Sequence, residues 1–404
     1  MFLQVRGKVY NQEHDEIMVG RGVVSTARVL HVGRVAMNWR ACMNRREFLQ
    51  TGCGAAMAAT ILPVVAGAKR PWRPKTRLCG FNLLGMFCRT KMAEGDKRIF
   101  GYFPEDRFRW MKGWGFNFAR LPLDYRFFIT DGDWMRLDEA QLKKLDQAVA
   151  YGRKYGIHIN IDFHRAPGYC CNDPMEPKSL FVDPEPQEAF IRLWRALAKR
   201  YRGIPNDELT FDLVNEPAAV KGYDATPARY AAIARRAIAA IREEDAERFI
   251  MSDGWRWGNE PVEELRPLPY NVGESVHCYS PHPLTHYGVR QAKEVPVWPP
   301  KDWSGTGKEW LEQKYFAVWE PHRQAGDFLH LGEFGFYYMP PHKAVMAWLE
   351  DVLKICKERD LGWAMWNLDG KFGLMDNGRT DCVFEDFEGH KLDRQALDLL
   401  IKYR

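Results

Sequence analysis

From Lys69 onward this chain has no stripe of basic residues, no Gly-rich phosphate loop behind an early strand, and no cysteine spacing suited to a metal. The first absence argues against a nucleic-acid surface. The second argues against a doubly wound nucleotide-binding sheet. The third leaves no zinc-type ligand set, and no metal or organic cofactor is expected. Nine cysteines are present, with Cys42 and Cys53 in the N-terminal segment. The remaining seven are an odd number, so a monomer keeps at least one free thiol. Cys170 and Cys171 are adjacent, a pairing that rarely closes on itself, while Cys278 and Cys356 read as buried in a strand and a helix. No linker, low-complexity stretch or internal repeat interrupts the sequence, and no separate extra domain is evident. The chain is 404 residues long and 46% hydrophobic, enough for one large core without a disulfide framework.

The formal charge of +5 is concentrated near the N-terminus. Arg45-Arg46-Glu47-Phe48-Leu49 reads as a twin-arginine signal, followed by a small and apolar run from Thr51 to Val65. That run is too short and too rich in Ala and Gly for a membrane span. Ala66-Gly67-Ala68 supplies an A-x-A cleavage site. Translation is expected to begin at Met43, close to the arginines, with cleavage after Ala68. Residues 1–68 therefore read as an upstream extension and signal peptide, and residues 69–404 as one catalytic domain. The expected route is the twin-arginine export machinery, delivering a folded protein to the periplasm or the extracellular space, with no stable membrane span in the mature form.

Eight short apolar runs recur along the mature part: Leu78–Phe87, Asn117–Leu121, His158–His164, Leu209–Glu216, Phe249–Asp253, Ser275–Tyr279, Phe328–Phe334 and Gly362–Asn367. Between them lie helical periods over Leu137–Tyr155, Glu188–Tyr201, Pro227–Arg242, Lys308–Gln324 and His342–Glu358. Asp393–Tyr403 closes the chain as a helix, and Glu260–Leu265 predicts a short one. Strand and helix alternating eight times predict an α/β fold, the (β/α)8 TIM barrel.

In such barrels the chemistry gathers where strand C-termini open into loops. The eight ends read Asn82, Arg120, His164, Asn215-Glu216, Asp253 with Trp255, His277 and Tyr279, Glu333, and Trp366. Any one of these is compatible with scaffolding; polar groups converging from eight strands are hard to explain by packing. Two carboxylic acids on separate strands are what hydrolysis of a glycosidic bond requires. One must hold a proton and the other must stay ionised, which burial and cationic neighbours arrange. Arg120 is the natural neighbour of Glu333, Tyr279 a hydroxyl donor to the same carboxylate, and His277 a border to either glutamate. Asn215 suits a sugar 2-hydroxyl, and Trp366 offers a flat face for a pyranose ring.

The runs FNFARLP, IDFHRAPG, LVNEP, VHCYSP, LGEFG and WAMWNLDG extend in order over nearly the whole mature chain. In them the sequence resembles glycoside hydrolase family 5, a family of retaining barrel glycosidases. The resemblance implies Glu216 as acid/base and Glu333 as nucleophile. It also implies supporting roles for Arg120, His164, Asn215, His277, Tyr279 and Trp366. The implied mechanism is double displacement with retention, the carboxyl groups about 5–5.5 Å apart.

The resemblance implies a β-glucan or oligosaccharide substrate, with an endo-β-1,4-glucanase favoured. Exo-acting β-glucosidase, β-1,3-glucanase, β-mannanase and a non-catalytic glycan-binding barrel are the alternatives. Two long loops set the difference: Gly168–Gln187 after the third strand, and the segment from Pro281 after the sixth. Trp255, Trp257, Trp298 and Trp303 are candidate stacking platforms, each equally suited to plain packing. Residues Lys371–Arg394 read as a folded loop over the barrel mouth. Asp369 is placed to reach a substrate hydroxyl or to shape a turn.

Overall fold

A computed structural model of the protein describes residues 70–87, 101–289, 303 and 307–404. Met43, the twin arginines, the A-x-A site and Trp298 lie outside the described residues.

Eight parallel strands close into a barrel. They are β1 (Cys79–Asn82), β2 (Phe118–Asp124), β3 (His158–Arg165), β4 (Leu209–Asp212), β5 (Ile250–Asp253), β6 (Val272–Cys278), β7 (Leu329–Phe334) and β8 (Gly362–Met365). Each strand pairs with the next, and β8 returns to β1 through Gly80↔Ala364. Every residue of these strands is buried, as expected for strands covered on both sides. All eight expected strands are present; most are shorter at one or both ends, while β2, β3 and β6 extend beyond the expected runs at one end.

The helices lie between the strands: α1 (Glu105–Trp114), α2 (Glu139–Tyr155), α3 (Pro184–Arg200), α4 (Pro227–Glu244), α5 (Gly307–Lys314), α6 (His342–Glu358) and α7 (Arg394–Tyr403). Local chemistry sets their starts. Asp138 accepts from the amides of Ala140 and Gln141 at α2, and Thr226 accepts from Arg229 at α4, where Pro227 occupies the first turn. Helix α1 was not foreseen. The helix expected over Lys308–Gln324 is divided: α5 stops at Lys314, a 3-10 turn covers Phe316–Trp319, and Glu320–Ala325 resumes. Pro321 has no N–H for a continuous ladder, so it is tolerated only where a new helix begins.

The two barrel ends differ in chemistry. At the N-terminal end, Leu78, Phe118, Phe249, Met251 and Ala364 form an apolar plug against Trp72 and Phe328. His158 and His330 are buried beside it, and burial pushes their imidazoles down to about 4 and about 3, so both stay neutral. The C-terminal end is polar. There Asn82, Arg120, Asp162, Asp212, Asp253, His277 and Glu333 are all buried.

Two register shifts aim side chains at that end. Along β6 and β7, Val276 pairs with Leu331 and His277 with Glu333, so Gly332 is passed over. A Cβ on Gly332 would fall 2.2 Å from Ser275 Oγ, which only glycine avoids. Between β2 and β3, Leu123 pairs with Phe163 and Asp124 with Arg165, leaving His164 out of register.

The tail after β8 divides. Phe372 packs near His286 and Tyr337, and Arg379 donates to the Pro340 carbonyl at 2.7 Å and the Tyr337 carbonyl at 3.2 Å in the loop after β7. A hairpin of Glu385–Phe387 and His390–Leu392 lies against α1, where Glu388 accepts from Arg109 and Trp110. This second half of the tail braces the barrel wall.

Candidate active site

Arg120 organises the polar end. Its guanidinium is 1% exposed and reaches Glu333 Oε1 at 2.6 Å, Asp212 at 3.0 Å, Asn215 Oδ1 at 3.1 Å and Asn82 Oδ1 at 3.2 Å. Asp162 and Asp253 stand 3.2 and 3.5 Å from Nη2. Four carboxylates thus share one arginine and the nearby His277. Two cations do not neutralise four buried anions, so protons must make up the difference. Burial, though opposed by Arg120, pushes Asp162 well above the usual carboxylate range. Burial and the neighbouring Asp253 raise Asp212 to about 7. Burial also opposes ionisation of Asp253, yet His277 and Arg120 hold its carboxyl down.

Glu333 receives a second donor, the Tyr279 hydroxyl, on Oε2 at 2.9 Å. Burial pushes its carboxyl up to about 7 against the pull of His277 and Arg120. Glu216 is placed differently. It sits at the cleft edge, half-buried, in a left-handed backbone conformation with φ of 51°. Such a φ is uncommon for a residue with a Cβ and persists where surrounding contacts fix it. Those contacts are present: the Glu216 amide donates to Asp253 at 2.8 Å, and its carbonyl accepts from the Tyr169 hydroxyl at 2.6 Å. The same hydroxyl accepts from the Ala218 amide at 3.1 Å.

His277 links the two acids. Its Nδ1 lies 3.0 Å from Glu216 Oε1 and 3.9 Å from Glu333 Oε2, while Nε2 faces Asp253 at 3.2 Å. Burial works against an imidazolium here, but Asp253 and Glu333 hold His277 well above its ordinary value. A Cβ on Gly258 would lie 2.7 Å from the His277 ring, so this glycine makes room for it. His164 has the opposite charge state: burial and Arg120 hold it well below its ordinary value, and it bonds Asp162 at 3.0 Å. Its ring stacks on Trp366 with centroids 4.8 Å apart, leaving that indole half-buried at the cleft.

One oxygen of Glu216, one of Glu333 and a ring nitrogen of His277 all lie within 4.8 Å of one another. Held cationic by Asp253 and Glu333, His277 has no lone pair for a metal, so this trio is a hydrogen-bonded set; His342, Cys382 and Asp393 lie equally close to one another. In the second group His342 already bonds Asp393, which also caps α7.

The structure therefore brings together Glu216, Glu333, Arg120, His164, Asn215, His277, Tyr279 and Trp366. The proposed aromatic platforms fare differently. Trp255 is 8% exposed and belongs to the core, so it presents no free face. Trp257 is half-buried. Trp303 donates to Asp351 at 2.9 Å and meets Trp310 edge-on. Asp369 pairs with Arg107 of α1 at 2.9 Å, which is scaffolding. Sequence reasoning missed Asp162, Asp212, Tyr169 and Cys171. Asp162 had a signal: with Asn160 and His164, it makes β3 polar at alternate positions, the period of an inward-facing barrel row.

A parallel barrel that gathers two glutamates of unlike surroundings around one histidine at its C-terminal rim is the working end of a glycoside hydrolase. The chain belongs to glycosyl hydrolase family 5, whose cellulase model matches residues 100–372. Among relatives, Endoglucanase C of Acetivibrio thermocellus is 28% identical over 283 residues, covering 63% of this chain and 80% of that protein. Cellodextrinase A of Ruminococcus flavefaciens is 26% identical, covering 68% of this chain and 81% of its own. A solved glycoside hydrolase is 34% identical, with a TM-score of 0.73 over 81% of this chain and all of its own. Endoglucanase Cel5A of Thermotoga maritima shares the fold at a TM-score of 0.65 and 23% identity, over 80% of this chain and 96% of its own. No helix among the described residues is long and apolar enough to cross a membrane.

Proposed function

We propose that this chain is an exported, retaining endo-β-1,4-glucanase working by double displacement. The observation that carries the reading is the approach of Glu216 and Glu333 to within 4.8 Å, oxygen to oxygen, in unlike surroundings. So close an approach of the nearest oxygens supports the retaining arrangement, with carboxyl groups about 5–5.5 Å apart, over the inverting one at about 6.5–9.5 Å. Glu333, fixed by Arg120 and Tyr279, attacks the anomeric carbon. Glu216, at the open edge, protonates the departing oxygen and then takes a proton from the water that releases the glycosyl-enzyme. Trp366 offers a face for the sugar. The β-1,4-glucan preference is supported by the endoglucanase and cellodextrinase relatives.

The test is a panel of β-1,4-, β-1,3- and mixed-linkage glucans, mannan and xylan, with product sizing and NMR of the first-formed anomer. Short and mid-length β-1,4 products of retained β-configuration are expected, and Glu333→Gln is expected to abolish them. An α-anomer would overturn the mechanism; preferential cleavage of another polymer would overturn the substrate.

Export by the twin-arginine route is supported by Arg45-Arg46, the short apolar run and Ala66-Gly67-Ala68. Lysines at both arginines are expected to leave the protein, uncleaved, in the cytoplasm. Cleaved protein outside the cytoplasm in that variant would refute the route.

A further inference from the structure

The long loop after β3 reaches into the catalytic pair. Cys171 Sγ lies 3.2 Å from Glu216 Oε2, on the opposite oxygen from the one that His277 holds. The loop that carries it is firmly tied. Ala166 and Tyr169 exchange backbone hydrogen bonds at 3.0 Å. Arg165 clamps the far side through Glu176 at 2.7 Å and the Pro174 carbonyl at 2.8 Å, and Tyr125 adds a 2.7 Å bond to Glu176. The sulfur is further addressed by the side-chain amides of Asn172 at 3.3 Å and Asn215 at 3.6 Å.

Resting on the assignment of Glu216 as acid/base, we infer that Cys171 is a positioning residue, whose S–H donates to Glu216 and sets the balance between its acid and base states. A thiol is a weak donor, and a donor to a carboxylate favours the ionised form. Double displacement needs Glu216 in both forms, protonated for glycosylation and ionised for deglycosylation. A weak donor orients the carboxylate without locking it into the base form, as a stronger one would. The thiol remains a donor rather than a thiolate: Cys170 beside it, burial and the Glu216 charge all push it well above the ordinary thiol range.

Other charged or titratable groups face Glu216 from every side. Asp253 takes its amide from β5, His277 its carboxylate from β6, and Tyr169 its carbonyl from the β3 loop. Glu333 of β7 adds negative charge, and the Glu216 charge is felt at Tyr279 and Tyr315. A change at Cys171 removes none of these groups, and the serine variant separates loss of the S–H bond from loss of packing.

The test compares the unmodified chain with Cys171→Ala and Cys171→Ser. Two readouts are taken: the pH profile of kcat/KM on a soluble cello-oligosaccharide, and the Glu216 carboxyl titration by 13C NMR of glutamate-labelled protein. The Glu216 signal is assigned by its loss in Glu216→Gln. Alanine removes a donor to the ionised form, so the alkaline limb and the carboxyl midpoint should both rise, by ~0.5 pH unit. Serine keeps a donor and should restore both to the parent position or below. No shift in the alanine variant, or equal shifts in alanine and serine, overturns the assignment, because lost packing alone would treat both alike. Should alanine fail to fold, Cys171→Val fills the space without a donor and takes its place. The carboxyl titration needs no turnover. Failure of the parent to hydrolyse any glycan would sink the proposed function and still leave the Cys171 bond judged.

Discussion

Arg120 and Glu333 meet at 2.6 Å with both side chains almost fully buried, and the same guanidinium holds Asn215, the neighbour of Glu216. One side chain on β2 thereby fixes Glu333, the proposed nucleophile, directly and the loop of Glu216, the proposed acid/base, at one remove.

Removing that arginine should damage the fold as well as the chemistry. Arg120→Met leaves Asp162, Asp212, Asp253 and Glu333 without their shared cation. Breaking a buried pair in this way costs about 3–5 kcal/mol. Urea unfolding should register the loss, and an unchanged midpoint would show that the surrounding carboxylates simply take up protons.

Glu216→Gln keeps the shape of the side chain but has no proton to exchange. Hydrolysis of a natural glycan should fall by about 10²–10⁴. Aryl glycosides with acidic leaving groups need no protonation to depart. For them the glycosylation step should be nearly spared, and a burst followed by slow turnover should appear in stopped-flow absorbance. Equal losses on both substrates would move the acid role elsewhere.

The proposed double displacement requires ionised Glu333, and burial holds that carboxyl up to about 7. Protonation as the pH falls through that value removes the nucleophile. The acidic limb of kcat/KM is therefore expected near neutrality, with a loss of roughly tenfold per pH unit below it. Tyr279→Phe deletes a donor to the charged form, so its acidic limb should move further toward alkaline pH. A limb that stays in place would show that Arg120 alone sets the charge.

Tyr169→Phe removes one hydroxyl that bonds both the Glu216 carbonyl and the Ala218 amide. Stability should fall by about 1 kcal/mol. A lower kcat with little change in KM is expected, because the acid/base is displaced without loss of a sugar contact. A raised KM alone would assign the tyrosine to substrate binding.

The barrel was legible because burial on both faces writes each strand as a short apolar run, and eight such runs leave few alternatives. The rim was legible because Arg120, Glu216, His277 and Glu333 stand at strand ends, where packing gives no reason for charge. Helix α1 escaped notice because its buried residues, Phe108, Trp110 and Met111, do not form a clean stripe. In sequence Trp255 stays open for the converse reason: a tryptophan beyond a strand end can turn into the core as readily as into a cleft. Tyr169 and Cys171 were illegible because their partners, Glu216 and Ala218, lie more than forty residues away on another loop.

The ties from the β3 loop to Glu216 have an evolutionary consequence. Tyr169 grips its backbone and Cys171 its carboxylate. A segment beside the catalytic cleft thus also supports Glu216, the proposed proton donor. Exchanging residues 168–187 for the shorter loop of another glucanase would alter turnover along with substrate choice. Drift toward new glycans through this loop is therefore constrained, since each remodelled loop must supply its own replacement for those two grips.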